Sequence, residues 1–348
     1  MYGGPAGSHL LNLMRRLRLP VVSTLHTVLE DPSIEQRRVM EELLQQSDAI
    51  VVMTRRGQRI LSSNYSVPQE KIHVIPHGIP DQPFVDPNFY KDQFGVAGRP
   101  MMLTFGLLSP GKGIEYGIQS LPEILSSHPD LVSVILGATH PNLLRAEGET
   151  YRLSLERLAQ SLGVENNVIF VNHYVDDQQL VEYIGAADIY LTPYLNPAQI
   201  TSGTLAYCYG CGKAVVSTPY WHAQELLAEG RGELVPFLDG SAIAKAVNGL
   251  LSEPTRLHAM RKQAYLAGRE MVWGAVGERY AQLFERLLEA GEGRARTLRP
   301  AATLAVEGAE LPPWRFQHLE TMVDSTGVFQ HAVHSVPDFH HGYCTDDN

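Results

Sequence analysis

Nine short runs of β-branched and aliphatic residues punctuate the chain, at 20–24, 49–53, 73–75, 101–105, 132–136, 168–171, 189–192, 214–217 and 233–235. Between them lie stretches whose apolar residues recur at helical spacing, for example 35–46, 116–125, 151–162, 178–186 and 242–251. Strand-length runs separated by helix-length patterns cannot pair as hairpins. They require crossover connections, which are right-handed and give parallel sheets. The expected fold class is therefore α/β.

A Pro- and Gly-rich stretch from Ile75-Pro76-His77-Gly78-Ile79-Pro80 to Gly98-Arg99-Pro100 interrupts the alternation and reads as an interdomain connection. Two Rossmann-like lobes are expected: a partial N-terminal lobe over 1–95 and a fuller lobe over 96–290, closed by a long amphipathic helix from Trp273. Three strands are few for a doubly wound sheet. The N-terminal lobe is accordingly expected to be incomplete, its opening βα units missing, with a small but whole lobe as the alternative. Residues 291–313, rich in Ala, Gly, Arg and Pro, have linker chemistry, and 314–348 read as the stub of a further domain.

The formal charge of −10 removes any bulk positive field that would hold nucleic acid by counterion release. An anionic ligand must be gripped locally. Three cysteines in 348 residues make no disulfide framework and suit a reducing, cytoplasmic setting. No run of eighteen apolar residues occurs, and the first residues lack a secretory pattern. A helix expected over 10–19 sets Arg15, Arg16 and Arg18 among leucines. That basic amphipathic pattern fits weak contact with a membrane surface, although an ordinary surface helix with one apolar face explains it more simply.

Three places carry candidate chemistry. In Phe105-Gly106-Leu107-Leu108-Ser109-Pro110-Gly111-Lys112-Gly113, between an expected strand and helix, glycines allow close backbone approach to a phosphate and Lys112 adds a charge. The Lys is followed by Gly, so this is no Walker loop; an ordinary turn with a surface lysine is the competing account. In Thr192-Pro193-Tyr194-Leu195-Asn196-Pro197-Ala198-Gln199-Ile200-Thr201-Ser202-Gly203-Thr204-Leu205, hydroxyls and amides gather at a helix start on the same carboxyl edge of the sheet. Two anion-receptive loops on one edge suit a diphosphate, whereas either hydroxyl alone reads as a simple N-cap. His26, at the carboxyl end of the first strand, is a candidate to face the cleft between the lobes and bind or shuttle a proton, although a lone strand-end histidine is more often a hydrogen-bonded structural residue.

The string Gly-Leu-Leu-x-x-x-Lys-Gly resembles a motif of glycosyltransferase family 4. So do Val74-Ile75-Pro76-His77-Gly78-Ile79, the run Ala186 to Pro193, and Gly210-Cys211-Gly212-Lys213-Ala214-Val215-Val216-Ser217-Thr218 with Glu225 after it. The resemblance covers about 21–288. It implies the two-lobed GT-B fold and retaining transfer of a hexose from a nucleoside-diphosphate sugar, without a metal or other cofactor, to an acceptor of unknown class (glycan, lipid or small molecule). By the same resemblance Lys112 neutralises the donor diphosphate, and Gly106, Ser202, Gly203 and Thr204 hold its phosphates. His26 lies near the transferred sugar, and Glu225 is an acidic donor-side residue.

Two departures stand out. The family's Gly-Arg-Leu reads Gly106-Leu107-Leu108, so a cation is missing, and Arg55 and Arg56 are the candidate replacements. The family's two glutamates eight positions apart fall on Gln199 and Tyr207. Gln199 can hydrogen-bond a sugar hydroxyl but cannot stabilise positive charge at the anomeric carbon, while the Tyr207 phenol can meet a ribose hydroxyl. These departures keep two rivals open: a catalytically weak sugar-nucleotide-binding or scaffold protein, and another GT-B enzyme such as a phosphorylase or epimerase. Cys208-Tyr209-Gly210-Cys211 has no second pair for zinc. The tail histidines and Cys344 are irregularly spaced for a metal site, and the tail faintly resembles the entry of an α/α-barrel.

Overall fold

The computed structural model describes residues 5–17, 19–291, 332–333 and 336–337. The chain forms two compact units, Met1–Leu298 and Arg299–Asn348. In the second, the described residues are an antiparallel strand pair, Ala332–Val333 with Val336–Pro337. The expected linker and the tail histidines lie outside the described residues.

Each of the nine apolar runs becomes a strand: β1 (Val22–Leu25), β2 (Ala49–Val52), β3 (Ile72–Val74), β4 (Met101–Phe105), β5 (Val132–Leu136), β6 (Val168–Val171), β7 (Ile189–Thr192), β8 (Ala214–Ser217) and β9 (Glu233–Leu234). The first three make a parallel sheet in chain order. The other six make a parallel sheet ordered β6-β5-β4-β7-β8-β9. Every residue of β2, β4, β5, β7 and β8 is buried, as expected for strands covered by helices on both faces. In the larger sheet the strand order turns around between β4 and β7. The crevice outside the carboxyl ends at such a switch point is where ligands of open α/β sheets bind.

Local chemistry sets the helix bounds. Helix Ile34–Gln46 opens with a capping box in which the Ser33 hydroxyl accepts from the Gln36 amide and the Gln36 side chain accepts from the Ser33 amide. Helix Asp177–Ala186 is capped by Asp176, and Gly240–Ser252 by Asp239. The first helix, Pro5–Met14, lies about five residues earlier than its apolar pattern indicates, because Pro5 is preformed for the first helical turn. Arg15 and Arg16 thus fall beyond its end, Arg15 pairs with Glu42 of the next helix, and Leu13 and Leu19 stay exposed. The expected basic amphipathic helix is therefore not formed as such.

Two crossings join the sheets. Ile79, fully buried, donates its amide to the Met271 carbonyl at 2.8 Å and accepts from the Trp273 amide at 3.0 Å, so the outgoing and returning segments run as a short parallel bridge. Beyond it, helix Trp273–Gly291 lies on the first sheet: Val276 and Leu283 pack with Ala49, Val51 and Ile75, and the Tyr280 hydroxyl meets Thr24 Oγ1 at 3.0 Å. Each such buried aliphatic side chain contributes about 1.5–3 kcal/mol. The lobes also touch through Ile200, which is buried in the first lobe's core, and through Trp221, over which Arg56 stacks at 4.2 Å.

Candidate functional site

β4 ends in Gly106, whose backbone leads past the exposed Leu107 into the one-turn 3-10 segment Pro110–Lys112. Gly113 follows with φ +62° and caps helix Ile114–Ser127. A Cβ on Gly113 would lie 2.2 Å from the Pro193 carbonyl oxygen. Only glycine permits both the left-handed turn and that approach. The loops after β4 and β7 are therefore in backbone contact, and the Leu195 amide donates to the Gly111 carbonyl at 3.0 Å.

This contact places Lys112 Nζ 3.9 Å from the centroid of the Tyr194 ring, within cation–π range. Tyr194 is buried, stacks on Tyr220 at 5.3 Å, and its hydroxyl meets Thr204 Oγ1 at 2.8 Å. Thr204 Oγ1 in turn lies 3.2 Å from Ser202 Oγ. Ser202 is the N-cap of helix Gly203–Gly210, its hydroxyl accepting from the Leu205 amide. The helix therefore presents the first-turn amides of Gly203 and Thr204, which lack intrahelical acceptors, together with the positive end of its dipole. Gly106 sits beside the same turn, since a Cβ there would fall 3.5 Å from Thr204 Cγ2. The structure thus brings together Gly106, Lys112, Ser202, Gly203 and Thr204 at the switch point.

The other sequence candidates occupy different places. Gln199 turns its amide back onto its own loop, Nε2 donating to the Thr201 carbonyl at 2.6 Å. Tyr207 lies one turn deeper along the helix, hydrogen-bonded to the Trp273 side chain, and its phenol is pushed up chiefly by burial. His26 is exposed just beyond β1. Glu225, on helix Trp221–Leu226, sends its carboxylate across to the first lobe, where Oε1 accepts from the Arg55 amide at 2.7 Å and Oε2 from the Arg56 amide at 3.1 Å. It caps helix Arg55–Asn64 instead of meeting the Lys112 and Ser202 loops. The Arg56 guanidinium pairs with Glu30 and stacks on Trp221.

Two histidines without an assigned role in the sequence turn out to be central. His77 of the Ile-Pro-His-Gly-Ile string leans on Gly203, where an added Cβ would lie 2.9 Å from its Nε2. Its Nδ1 lies 2.7 Å from the Gly78 carbonyl, which can only accept, so Nδ1 carries the proton and Nε2 is left as an acceptor. Burial holds its pKa below the usual value, and the nearby His26 lowers it further. His222 is fully buried and accepts the Ser202 amide on Nδ1 at 2.8 Å; burial pushes its pKa down to about 3. His77 also borders the rings of Tyr207 and Trp273. His77 stood in the 74–79 string without a role of its own, and His222, inside helix Trp221–Leu226, carried no sequence signal.

Among the described residues no group of three His, Cys, Asp or Glu is placed to hold a metal ion, and no helix is long and apolar enough to cross a membrane. Cys208 and Cys211 are buried and free.

The sequence profile described as "Glycosyl transferases group 1" matches residues 88–267, and "Glycosyltransferase Family 4" matches residues 2–82. The chain is 27% identical over 269 residues to a GDP-mannose-dependent α-(1-6)-phosphatidylinositol monomannoside mannosyltransferase of Mycolicibacterium smegmatis, covering 73% of this chain and 66% of that protein. It is 26% identical over 299 residues to a D-inositol 3-phosphate glycosyltransferase of Xylanimonas cellulosilytica, covering 78% and 68%. The chain thus spans about two-thirds of the length of these curated relatives. In fold it is similar to Anabaena HepE in a complex with UDP (TM-score 0.65, 18% identity, 81% of this chain and 82% of that chain). It is also similar to sucrose-phosphate synthase from Thermosynechococcus elongatus (TM-score 0.66, 20% identity, 82% and 72%). With one profile matching just over half of its length across the sheet that carries the Lys112 and Ser202 loops, the chain belongs to the group 1 glycosyl transferases.

Proposed function

We propose that the chain transfers a hexose from a nucleoside-diphosphate sugar to an acceptor, with retention of anomeric configuration, in the cytoplasm. The observation that carries this reading is the continuous link from Lys112 over Tyr194 to Thr204 and Ser202, which gathers one ammonium and two open helix amides at the switch point. Departure of the nucleoside diphosphate leaves negative charge on the β-phosphate. Preorganised donors stabilise that charge more in the transition state than in the ground state. Loss of one such donor typically costs about 3–4 kcal/mol, so with Leu107 in place of an arginine the share of Lys112 and the Gly203 and Thr204 amides rises.

The donor class is supported by relatives named as GDP-mannose-dependent and by a structural neighbour holding UDP. An acceptor bearing an inositol or inositol phosphate, as those relatives' names describe, is the first to test among glycans, lipids and small molecules. This reading gives His77 and His26 the task of meeting the transferred sugar; the acceptor Nε2 of His77 beside Gly203 and the proximity of His26 to His77 support it. A second reading, a protein that binds a sugar nucleotide but turns it over weakly, is favoured by Gln199, whose amide is already bonded to Thr201. Calorimetric titration with UDP, GDP and ADP, followed by product release from the matching sugar nucleotides, tests both. Turnover lost in Lys112→Ala supports the transferase; binding without turnover in the unaltered protein favours the second reading, and nucleotide binding indifferent to Lys112 refutes both.

A further inference from the structure

A cavity of about 830 Å³ lies between the first lobe, the helix Trp221–Leu226 and the returning helix Trp273–Gly291, and no residue of the Lys112 and Ser202 loops lines it. Four arginines from three parts of the chain line it: Arg55 at the start of its helix, Arg231 in the turn after Leu226, and Arg279 and Arg286 on the returning helix. The last two are seven residues apart, which puts them on one helix face two turns from each other. In a chain with ten more acids than bases, such a convergence is a strong local exception.

The acids nearby do not neutralise it. Two carboxylates line the cavity against its four guanidiniums: Glu225, which keeps its charge while accepting from the Arg55 and Arg56 amides, and Glu229. Glu229 is 83% exposed and 3.9 Å from Arg231, and Arg279 is bonded to Glu270, which is 78% exposed. Exposed ion pairs of this kind contribute little and yield to a better partner. Arg231 is held by its Nε bond to the Ala228 carbonyl and by a hydrogen bond with the Tyr209 side chain, and Arg286 by its Nε bond to the Gln282 carbonyl; both line the cavity. The field of Arg286 reaches His73 on the cavity wall and, after burial, helps hold that imidazole neutral.

We infer that this cavity is a second anion site, which binds a phosphorylated small molecule between the arginines of the two lobes. Guanidinium groups match phosphate oxygens in pairs, and the volume accommodates a ligand larger than a single phosphate. The site is separate from the donor loops, with His222 as the shared wall: it lines the cavity and also holds the Ser202 amide.

The test uses inorganic pyrophosphate as probe and the Lys112→Ala protein as background, which removes the ammonium of the donor loops. Pyrophosphate is expected to bind that protein and to protect the amides of 228–231 and 279–286 from hydrogen exchange. Adding Arg231→Gln, at a half-buried position, and Arg286→Gln, at an exposed one, both checked for folding by thermal melting, is expected to weaken binding by about tenfold for each guanidinium removed. Equal affinity with and without these two substitutions would overturn the inference, as would protection confined to the donor loops. Failure of donor turnover in the unaltered protein leaves this outcome unaffected.

Discussion

The main-chain amide of Ser202 donates to Nδ1 of His222 across 2.8 Å, in the interior. One imidazole therefore fixes the residue that caps helix Gly203–Gly210, and it does so only while neutral, because a protonated ring has no acceptor.

Acidification works against this arrangement. His222 has a folded pKa of about 3 against an ordinary value of 6.5. Above pH 6.5 neither the folded nor the unfolded state is protonated at this site and the full stability is present. As the pH falls below 6.5 the unfolded chain takes up the proton first, so stability declines, by up to about 1.4 kcal/mol per pH unit. His77, also depressed, acts in the same direction. Urea denaturation at pH 7.5 and 5.0 checks this: the loss is expected in the unaltered protein and should be smaller in His222→Asn, which is itself less stable at pH 7.5 by about 1–3 kcal/mol if Ser202 loses its partner.

Lys112 and Tyr194 separate charge from placement. Lys112→Ala is expected to lower turnover by about 10²–10³-fold, the usual effect of removing one oxyanion donor. Tyr194→Leu keeps the charge but removes the ring beneath it, a loss of about 0.5–2 kcal/mol, and Tyr194→Phe removes only the tie to Thr204. Steady-state kinetics with a saturating acceptor should rank the three in that order; equal effects would show that the ring does not position the ammonium.

Gly113 acts through its backbone alone. Alanine there meets both a φ of +62° and the Pro193 carbonyl, so Gly113→Ala is expected to destabilise the protein by at least about 1–2 kcal/mol and to weaken nucleoside diphosphate binding. Thermal melting with and without nucleotide measures both effects.

Glu225 offers a test across the lobes. Its carboxylate caps a helix of the opposite lobe, so Glu225→Ala is expected to cost about 1 kcal/mol through the missing cap and helix-end charge and to increase hydrogen exchange at residues 55–58. Unchanged exchange there would show that the cap does not hold the two lobes together.

The sheets were legible because central parallel strands, buried on both faces, must be continuously apolar, as in Ala49–Val52 and Met101–Phe105. Helices 35–46 and 178–186 were legible from apolar spacing to within a residue of their starts at Ile34 and Asp177, whereas Arg55–Asn64, opened by the Thr54 cap, was not among those expected. The meeting of the Lys112 and Ser202 loops was anticipated because both stood after expected strands on one edge of the sheet. By contrast, His77, His222 and the Glu225 cap could not be read, since each acts on a residue far away in the chain. Gln199 and Tyr207 sat at the expected positions in sequence, yet their polar groups are directed to Thr201 and Trp273, a choice made by packing.

By itself, then, the sequence determined the α/β alternation, the parallel sheets and the two anion-receptive loops, because these follow from period, burial and local backbone chemistry. Only the tertiary structure decided that Lys112 rests on Tyr194, that Ser202 hangs from His222 and that four arginines converge behind Glu225. Those relationships depend on where the Ile79–Val272 crossing and the returning helix set one lobe against the other, and side-chain spacing along the chain carries no record of that distance.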